Sequence, residues 1–355
     1  MIRTFALALG LTCATQVAQA GSIATIGDWE SECAYMFTGV IEAGDADKVN
    51  ELETYGSAGA TLCFDSPGGS MSEGLKMFEL IWNSQMRTLV KDGDRCESAC
   101  AIAWLGGSES HGTLAINDLS RGIEPGATLG FHAPSLPLPE GSVYPARDVE
   151  RAFLIALNAA EGIFQINLQD QDAADPLNNY LYGRILATPG NKMHRITTIG
   201  EALMANISVY GLKFPEKITR AAMLNMCENA YLVSRGVNAD MGDASTYVEK
   251  QREWAEQGDR VTLINDEYWA VRLDGQRRRQ YGCKLDDQAL ADFIASNGRF
   301  GMPRITLFYV HVWPGQPAED VWTELKAGNE EDTEEMQLPF YALYEANVSL
   351  RSLAD

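Results

Sequence analysis

The sequence predicts an α/β protein: an α/β core domain over residues 21–213, followed by a smaller α+β domain over residues 214–355. Three observations carry this expectation. Short apolar runs alternate with stretches of helical periodicity from Tyr35 to Leu186, the pattern of parallel strands joined by right-handed crossovers. Gly211 and Pro215 then punctuate the chain, and beyond them strand signals cluster between helices. The length of 355 residues also exceeds the roughly 100–200 residues of a typical domain.

The first twenty residues read as a secretory leader. Arg3 supplies a positive charge, Phe5 to Ala14 an apolar stretch, and Ala18-Gln19-Ala20 a small-residue cleavage site before Gly21. No run reaches the roughly 18 apolar residues that span a bilayer. The expected location is therefore periplasmic, with the leader removed after Ala20.

The elements of the core follow in order. Tyr35 to Ile41 reads as a strand and Asp45 to Tyr55 as a helix. Thr61 to Asp65 is an apolar strand running into Ser66-Pro67-Gly68-Gly69-Ser70, and Met71 to Asn83 carries apolar residues mainly at helical spacing. Met86 to Val90 is the next strand, Ser98 to Leu105 a buried helix, and Thr128 to Phe131 a strand ending at His132. Helices are expected over Arg147 to Gln169 and Pro176 to Leu186. In the second domain, Lys217 to Arg235, Thr246 to Gln257 and Asp287 to Ser296 read as helices. Val261 to Asn265, Tyr268 to Leu273, Gln280 to Leu285 and Arg304 to Val312 read as strands, with a hairpin signal at Asp274-Gly275.

The net charge of −21 argues against nucleic acid or an anionic membrane as partner. Six cysteines remain once the leader is removed: Cys33, Cys63, Cys96, Cys100, Cys227 and Cys283. An even number in an oxidising compartment points to disulfides, although six cysteines allow about 15 pairings. Cys96 and Cys100 are placed to close a small loop if Cys96 lies outside the helix proper, and Cys227 with Cys283 are candidates to staple the second domain. No spacing among the cysteines and four histidines reads as a metal site, and no organic cofactor is implied.

Three segments carry candidate chemistry. In Ser66-Pro67-Gly68-Gly69, two glycines permit a sharp turn that leaves N–H groups unshielded, as an oxyanion site requires. In Cys96-Glu97-Ser98-Ala99-Cys100-Ala101, Ser98 opens an apolar helix. There it serves either as a helix cap or as a nucleophile beside free N–H groups. The small Ala99 and Ala101 leave room for a substrate. In Gly130-Phe131-His132-Ala133-Pro134, a histidine stands where a strand meets a turn, and a histidine there is either structural or an acceptor of the serine proton.

Together these segments resemble the Clp-type serine protease family, within the Clp/crotonase fold, over about residues 35–213. The family pattern is a Ser-Pro-Gly-Gly turn, a serine opening a buried helix, and a histidine in a Met/Gly-x-His-x-Pro segment. All three occur here in that order, with 29 residues from Gly69 to Ser98. Gly39 to Ala46 and Cys96-x-Ser98-Ala99-Cys100 also resemble an exported, periplasmic branch of the family. The resemblance implies a ββα-type core, Ser98 as nucleophile and His132 as general base. It further implies an oxyanion hole from the N–H groups of Gly69 and Ala99, and an extended peptide substrate paired along a strand leading out of Gly69. Assembly into a homo-oligomer is implied as well.

The sequence departs from that pattern twice. Extra residues lie between Ser98 and His132, around Asn117 to Pro125, and are expected to form a loop over the site or a changed oligomer contact. The family's aspartate is also missing: no Asp occurs between Asp175 and Asp240, and His194 falls near the expected position. A neutral histidine orients its neighbour but supplies no negative charge, which leaves His194, a helper such as Asp170 or Asp172, or a Ser–His dyad. The expected function is an exported serine peptidase or related acyl hydrolase acting through a Ser98 acyl-enzyme. The alternative is a catalytically inactive Clp-like binding or scaffolding protein. Outside the core, Arg277-Arg278-Arg279 reads as a solvated hairpin end, the acidic run Glu330 to Glu335 as a surface loop, and Trp254, Trp269, Trp313 and Trp322 as core and rim residues.

Overall fold

The computed structural model describes residues 20–354 except 53–58, 112–115, 136–140, 167–175, 216–218, 238–260, 265–268, 273–278, 286–291, 297–303, 312–319, 321–322 and 324–330. The leader expected over residues 1–20 lies outside the described residues up to residue 19. So do the helix expected over Thr246 to Gln257, Asp170, Asp172, Arg277, Arg278, Trp254, Trp313, Trp322 and the Asp274-Gly275 turn. No helix among the described residues is long and apolar enough to cross a membrane.

The fold is mixed α/β. In chain order the first half contains β1 (Ser22–Thr25), β2 (Tyr35–Thr38), α1 (Asp45–Asn50), β3 (Thr61–Asp65), α2 (Met71–Asn83), β4 (Arg87–Val90), β5 (Arg95–Glu97) and α3 (Ala99–Trp104). It continues with β6 (Ser108–His111), β7 (Ile116–Leu119), β8 (Arg121–Ile123), β9 (Thr128–Phe131), α4 (Ala146–Gln165), α5 (Asn179–Ala187), β10 (His194–Arg195), α6 (Ile199–Met204) and β11 (Ser208–Val209). A six-stranded sheet has the order β1-β2-β3-β4-β8-β11. Its pairings from β2 onward are parallel, and β1 closes one edge antiparallel. A second sheet, β10-β9-β5, branches off where Ser66, just past β3, bridges to Cys96 in β5.

The stretch Asn117 to Pro125, where a loop is expected, is instead largely strand. It forms β7 and β8, and β8 lies inside the main sheet with all three of its residues buried. Arg121 hides the strand from sequence inspection. Its guanidinium stacks 5.4 Å over the Trp104 ring and donates to the carbonyls of Leu105 and Pro176. Burial pushes it down to about 9.

Apolar side chains of β2, β3, α2 and α3, including Phe37, Phe64, Phe78 and Trp104, form the centre of the core. The two helices meet closely because α2 has Gly74 at the contact, where a Cβ would collide with the Ala99 carbonyl. Ser70 caps α2 by accepting from the Glu73 N–H. Glu73 in turn serves α1, whose N-cap Gly44 has no side chain to do so. Its carboxylate accepts from the N–H groups of Gly44 (2.8 Å) and Ala46 (3.3 Å), a favourable place for negative charge.

The second half contains α7 (Arg220–Val237), β12 (Val261–Ile264), β13 (Trp269–Arg272), β14 (Arg279–Leu285), β15 (Arg304–His311) and β16 (Glu331–Gln337). The strands form one antiparallel sheet in sequence order. The acidic run expected as a surface loop is therefore, from Glu331, an edge strand. Its charge is compatible with that position because an exposed edge carries polar side chains that deter pairing with other chains. Cys227 of α7 is joined to Cys283 of β14, with Cα atoms 5.8 Å apart.

The C-terminal residues return across the division expected at residues 213/214. Thr198 bridges to Ser349 and Leu212 to Ala354. Gly200 N–H donates to the Ala346 carbonyl at 2.7 Å, and Lys213 N–H to the Leu353 carbonyl at 2.9 Å. Buried side chains from both halves belong to one cluster, from Phe37 to Leu350.

The Glu73 arrangement predicts an acid-sensitive element next to the Gly68-Gly69 turn. The Lys76 ammonium, 2.6 Å away, and then the Gly44 and Ala46 N–H groups hold the Glu73 carboxyl below the ordinary carboxylate value, against the opposing effect of burial. A folded value below the unfolded one gives a contribution that is complete above the unfolded value and is lost as pH falls through the folded value. Glu73→Gln is therefore expected to lower stability at neutral pH and to flatten the fall in melting temperature between about pH 5 and pH 3. Thermal melts of both proteins across that range test this.

Candidate active site

Two strand ends and one helix start assemble the site. Ser98 stands between β5 and α3 as the N-cap residue of α3, with φ 61° and ψ −126°. That backbone conformation disfavours any side chain and costs on the order of 1–3 kcal/mol, yet a serine occupies it. The Ser98 hydroxyl does not cap the helix. It lies instead 2.8 Å from His132 Nε2. The hydroxyl thus faces the imidazole rather than the open end of the helix. Both side chains are half-buried.

His132 follows β9 directly, and its Nδ1 lies 2.8 Å from the Ala133 carbonyl. A carbonyl only accepts, so Nδ1 carries the hydrogen and the neutral ring presents its Nε2 lone pair to the Ser98 hydroxyl. This is the tautomer that takes a proton from serine. The third position thus holds a backbone carbonyl. His194, expected near that position, pairs in register with Phe131. Facing residues of paired strands share one face, and the next residue along emerges on the other. His194 therefore shares a face with Phe131 and is buried, with its ring edge-on to Tyr180. Asp170 and Asp172 lie outside the described residues.

The glycine turn comes up against the serine. At Gly68 (φ +92°) a Cβ would collide with the Glu97 carbonyl and lie 2.7 Å from Ser98 Cβ and 3.0 Å from Ala99 N. At Gly69 (φ +150°) it would collide with the Ile41 carbonyl. Ile41 N–H donates to the Gly68 carbonyl at 2.9 Å and Ser70 N–H to the Ile41 carbonyl at 2.8 Å. In such a parallel bridge between Ile41 and Gly69, the Gly69 N–H is directed away from Ile41. Among the described residues neither the Gly69 nor the Ala99 N–H has an acceptor, and Gly69 is exposed. The chain passes from Gly69 straight into α2, so no strand leads out of Gly69, contrary to the expected peptide-pairing edge. Ala99 and Ala101 are fully buried rather than open to a substrate. Ala99 packs against Gly74 of α2, where its Cβ and carbonyl leave no room for a larger neighbour.

Further contacts brace the serine. Ser98 N–H donates to the Gly130 carbonyl at 2.9 Å, and Glu97 N–H to the Ser66 carbonyl at 3.2 Å. Glu97 and Arg195 lie on either side of Gly130 in one cross-strand row. Their side chains meet over the glycine at 2.8 Å. Cys96 in β5 is joined to Cys100 in α3, with Cα atoms 5.1 Å apart. Cys33 is likewise joined to Cys63. The Glu97–Arg195 pair leaves no local mark in the sequence, since its members lie 98 positions apart; the glycine within β9 is the one available signal. No group of three or more His, Cys, Asp or Glu among the described residues forms a metal-binding cluster.

No protein-family profile and no curated protein sequence matches the chain. Among solved structures, it is similar to a serine-to-alanine mutant of a membrane-bound stomatin-specific protease, at 14% identity and a TM-score of 0.32, covering 49% of this chain and 76% of that one. It is also similar to an asparagine-to-aspartate mutant of ClpP1 from Listeria monocytogenes, at 14% identity and a TM-score of 0.25, covering 37% and 70%. Likeness at these scores assigns no activity to the chain.

The tight contact between turn and serine has a direct consequence. Gly68→Ala is expected to destabilise the fold by about 1–3 kcal/mol, because the neighbour it meets is backbone rather than a flexible side chain. Urea unfolding of the two proteins measures this.

Proposed function

We propose that the protein is an exported serine peptidase or related acyl hydrolase that works through a Ser98 acyl-enzyme. The observation that carries this reading is the 2.8 Å contact between Ser98 Oγ and His132 Nε2, made by a serine held outside ordinary backbone space. Ser98 Oγ attacks the acyl carbon as its proton passes to His132 Nε2. The N–H groups of Gly69 and Ala99 hold the oxygen that becomes negative. His132 then protonates the leaving amine or alkoxide, and water releases the acyl group by the same steps in reverse order of roles.

The Ala133 carbonyl supports a dyad rather than a triad. It fixes the productive tautomer and leaves the imidazolium without a neighbouring carboxylate at that position, so a slower enzyme than a full triad is expected. That same feature favours the second reading, a Clp-like binding or scaffolding protein of the periplasm. The three disulfides fit an oxidising compartment. The substrate class proposed is a peptide or protein, with self-association into a homo-oligomer and no nucleic-acid partner.

A fluorophosphonate probe separates the two readings. The protein is expected to be labelled at Ser98, with labelling abolished in Ser98→Ala. His132→Ala is expected to slow it by about 10²–10⁴-fold while thermal melts stay cooperative. Absence of labelling in folded, oxidised protein would favour the binding reading.

A further inference from the structure

We infer that the Cys96–Cys100 disulfide is a positioning element for Ser98, and that the serine becomes reactive only when this bond has formed. The inference rests on the serine-hydrolase reading of the site. Two cysteines four positions apart on one regular helix point in directions that a disulfide does not bridge. Here the pair is bridged because the chain breaks between them: Cys96 ends in β5, Cys100 lies in the first turn of α3, and the break is Ser98 with φ 61°. The bond and the strained serine therefore require each other. Without the bond, residues 97–99 are free to relax toward an ordinary helix start, in which Ser98 has helix-flanking backbone angles and its hydroxyl caps the helix instead of facing His132.

The other contacts at this point do not replace the bond. Gly130 and Ser66 hold the strand side through backbone hydrogen bonds, and Arg195 holds Glu97. All three act at or before Ser98, whereas the disulfide alone among them ties the strand to the helix beyond it. Both sulfurs belong to fully buried residues, so the bond forms as the chain folds and is then shielded from reductants. In its formation the two thiols lose two electrons and two protons to an oxidised partner disulfide, such as oxidised glutathione, which leaves as two thiols. A chain folded in a reducing compartment lacks the brace, and its serine stays silent until the protein folds where disulfides persist. The Cys33–Cys63 bond, which ties the segment before β2 to β3, has no such place at the serine.

The test measures fluorophosphonate labelling rates of the full-length mature protein beside thermal melts. Cys96→Ala/Cys100→Ala is expected to lower the maximal labelling rate by about 10- to 100-fold, with little change in apparent probe affinity. Cys33→Ala/Cys63→Ala is expected to lower the melting temperature and keep the rate. Should the first variant fail to fold, wild-type protein is refolded with oxidised glutathione or with a dithiol, and the state of Cys96 and Cys100 is mapped by alkylation and mass spectrometry. Slow labelling of the folded dithiol form, with fast labelling once it is unfolded and refolded with oxidised glutathione, supports the inference. Equal rates in folded oxidised and reduced forms overturn it while leaving the hydrolase reading intact. Failure of the oxidised wild type to label, or labelling that persists in Ser98→Ala, overturns the hydrolase reading and the inference with it.

Discussion

A serine at φ 61° is tolerated only where its surroundings leave the backbone no better choice, and the arrangement of the first half of the chain converges on that one residue. Its N–H is held by Gly130 on β9, the preceding Glu97 N–H by Ser66 at the end of β3, and Gly68 presses against its Cβ. Each contact comes from the carboxyl end of a parallel strand, where an open α/β sheet leaves its crevice. These backbone contacts hold the strand side of the serine, and the Cys96–Cys100 bond spans it to the helix beyond. The result is a side chain directed out of the helix axis, free of the capping role that a serine at a helix start usually takes.

The branching of the sheet explains how two distant segments meet. β3 ends at Asp65, and Ser66 leaves the main sheet to bridge with Cys96, so the glycine turn is carried toward β5 and β9 rather than along β4. Glu73 and Ser70 then fix the start of α2 immediately after the turn. Glycine is required at two adjacent positions for different reasons. At Gly68 the neighbour is the serine segment, and at Gly69 it is the Ile41 backbone. Within this turn the Gly68 N–H donates to Ser66 Oγ at 3.1 Å and the Ser70 N–H to the Ile41 carbonyl, which leaves the Gly69 N–H between them without an acceptor among the described residues.

How much of this was legible in the sequence follows from the range of each interaction. The β3–turn–α2 unit and β9 leading to His132 rest on local periodicity and turn residues, and their boundaries appear at the expected residues. β5 and β8, three residues each, were not legible. The first is too short for a pattern, and the second contains a buried arginine that reads as solvent-facing until Trp104 and two carbonyls are seen around it. The Ser98–His132 proximity was foreshadowed by the order of three motifs, whereas the strained backbone at Ser98 was not, because no residue type advertises it. The return of the C-terminal residues to Thr197–Lys213 was equally invisible, since backbone pairing across such a separation leaves no local mark.

The histidine shows why residue type alone misleads at the third position. A search for a carboxylate in the sequence between Asp175 and Asp240 finds none and turns to His194, yet the first requirement is a hydrogen-bond acceptor at Nδ1. The carbonyl of Ala133, the very next residue, meets it at 2.8 Å. A backbone acceptor orients the ring and selects the tautomer as a carboxylate does, but contributes only a dipole when the ring becomes charged. Tautomer and charge are separable functions of the third group. Here the Ala133 carbonyl meets the first requirement and supplies no charge for the second, so on the proposed reading reactivity would depend more heavily on how firmly Ser98 is held against the imidazole.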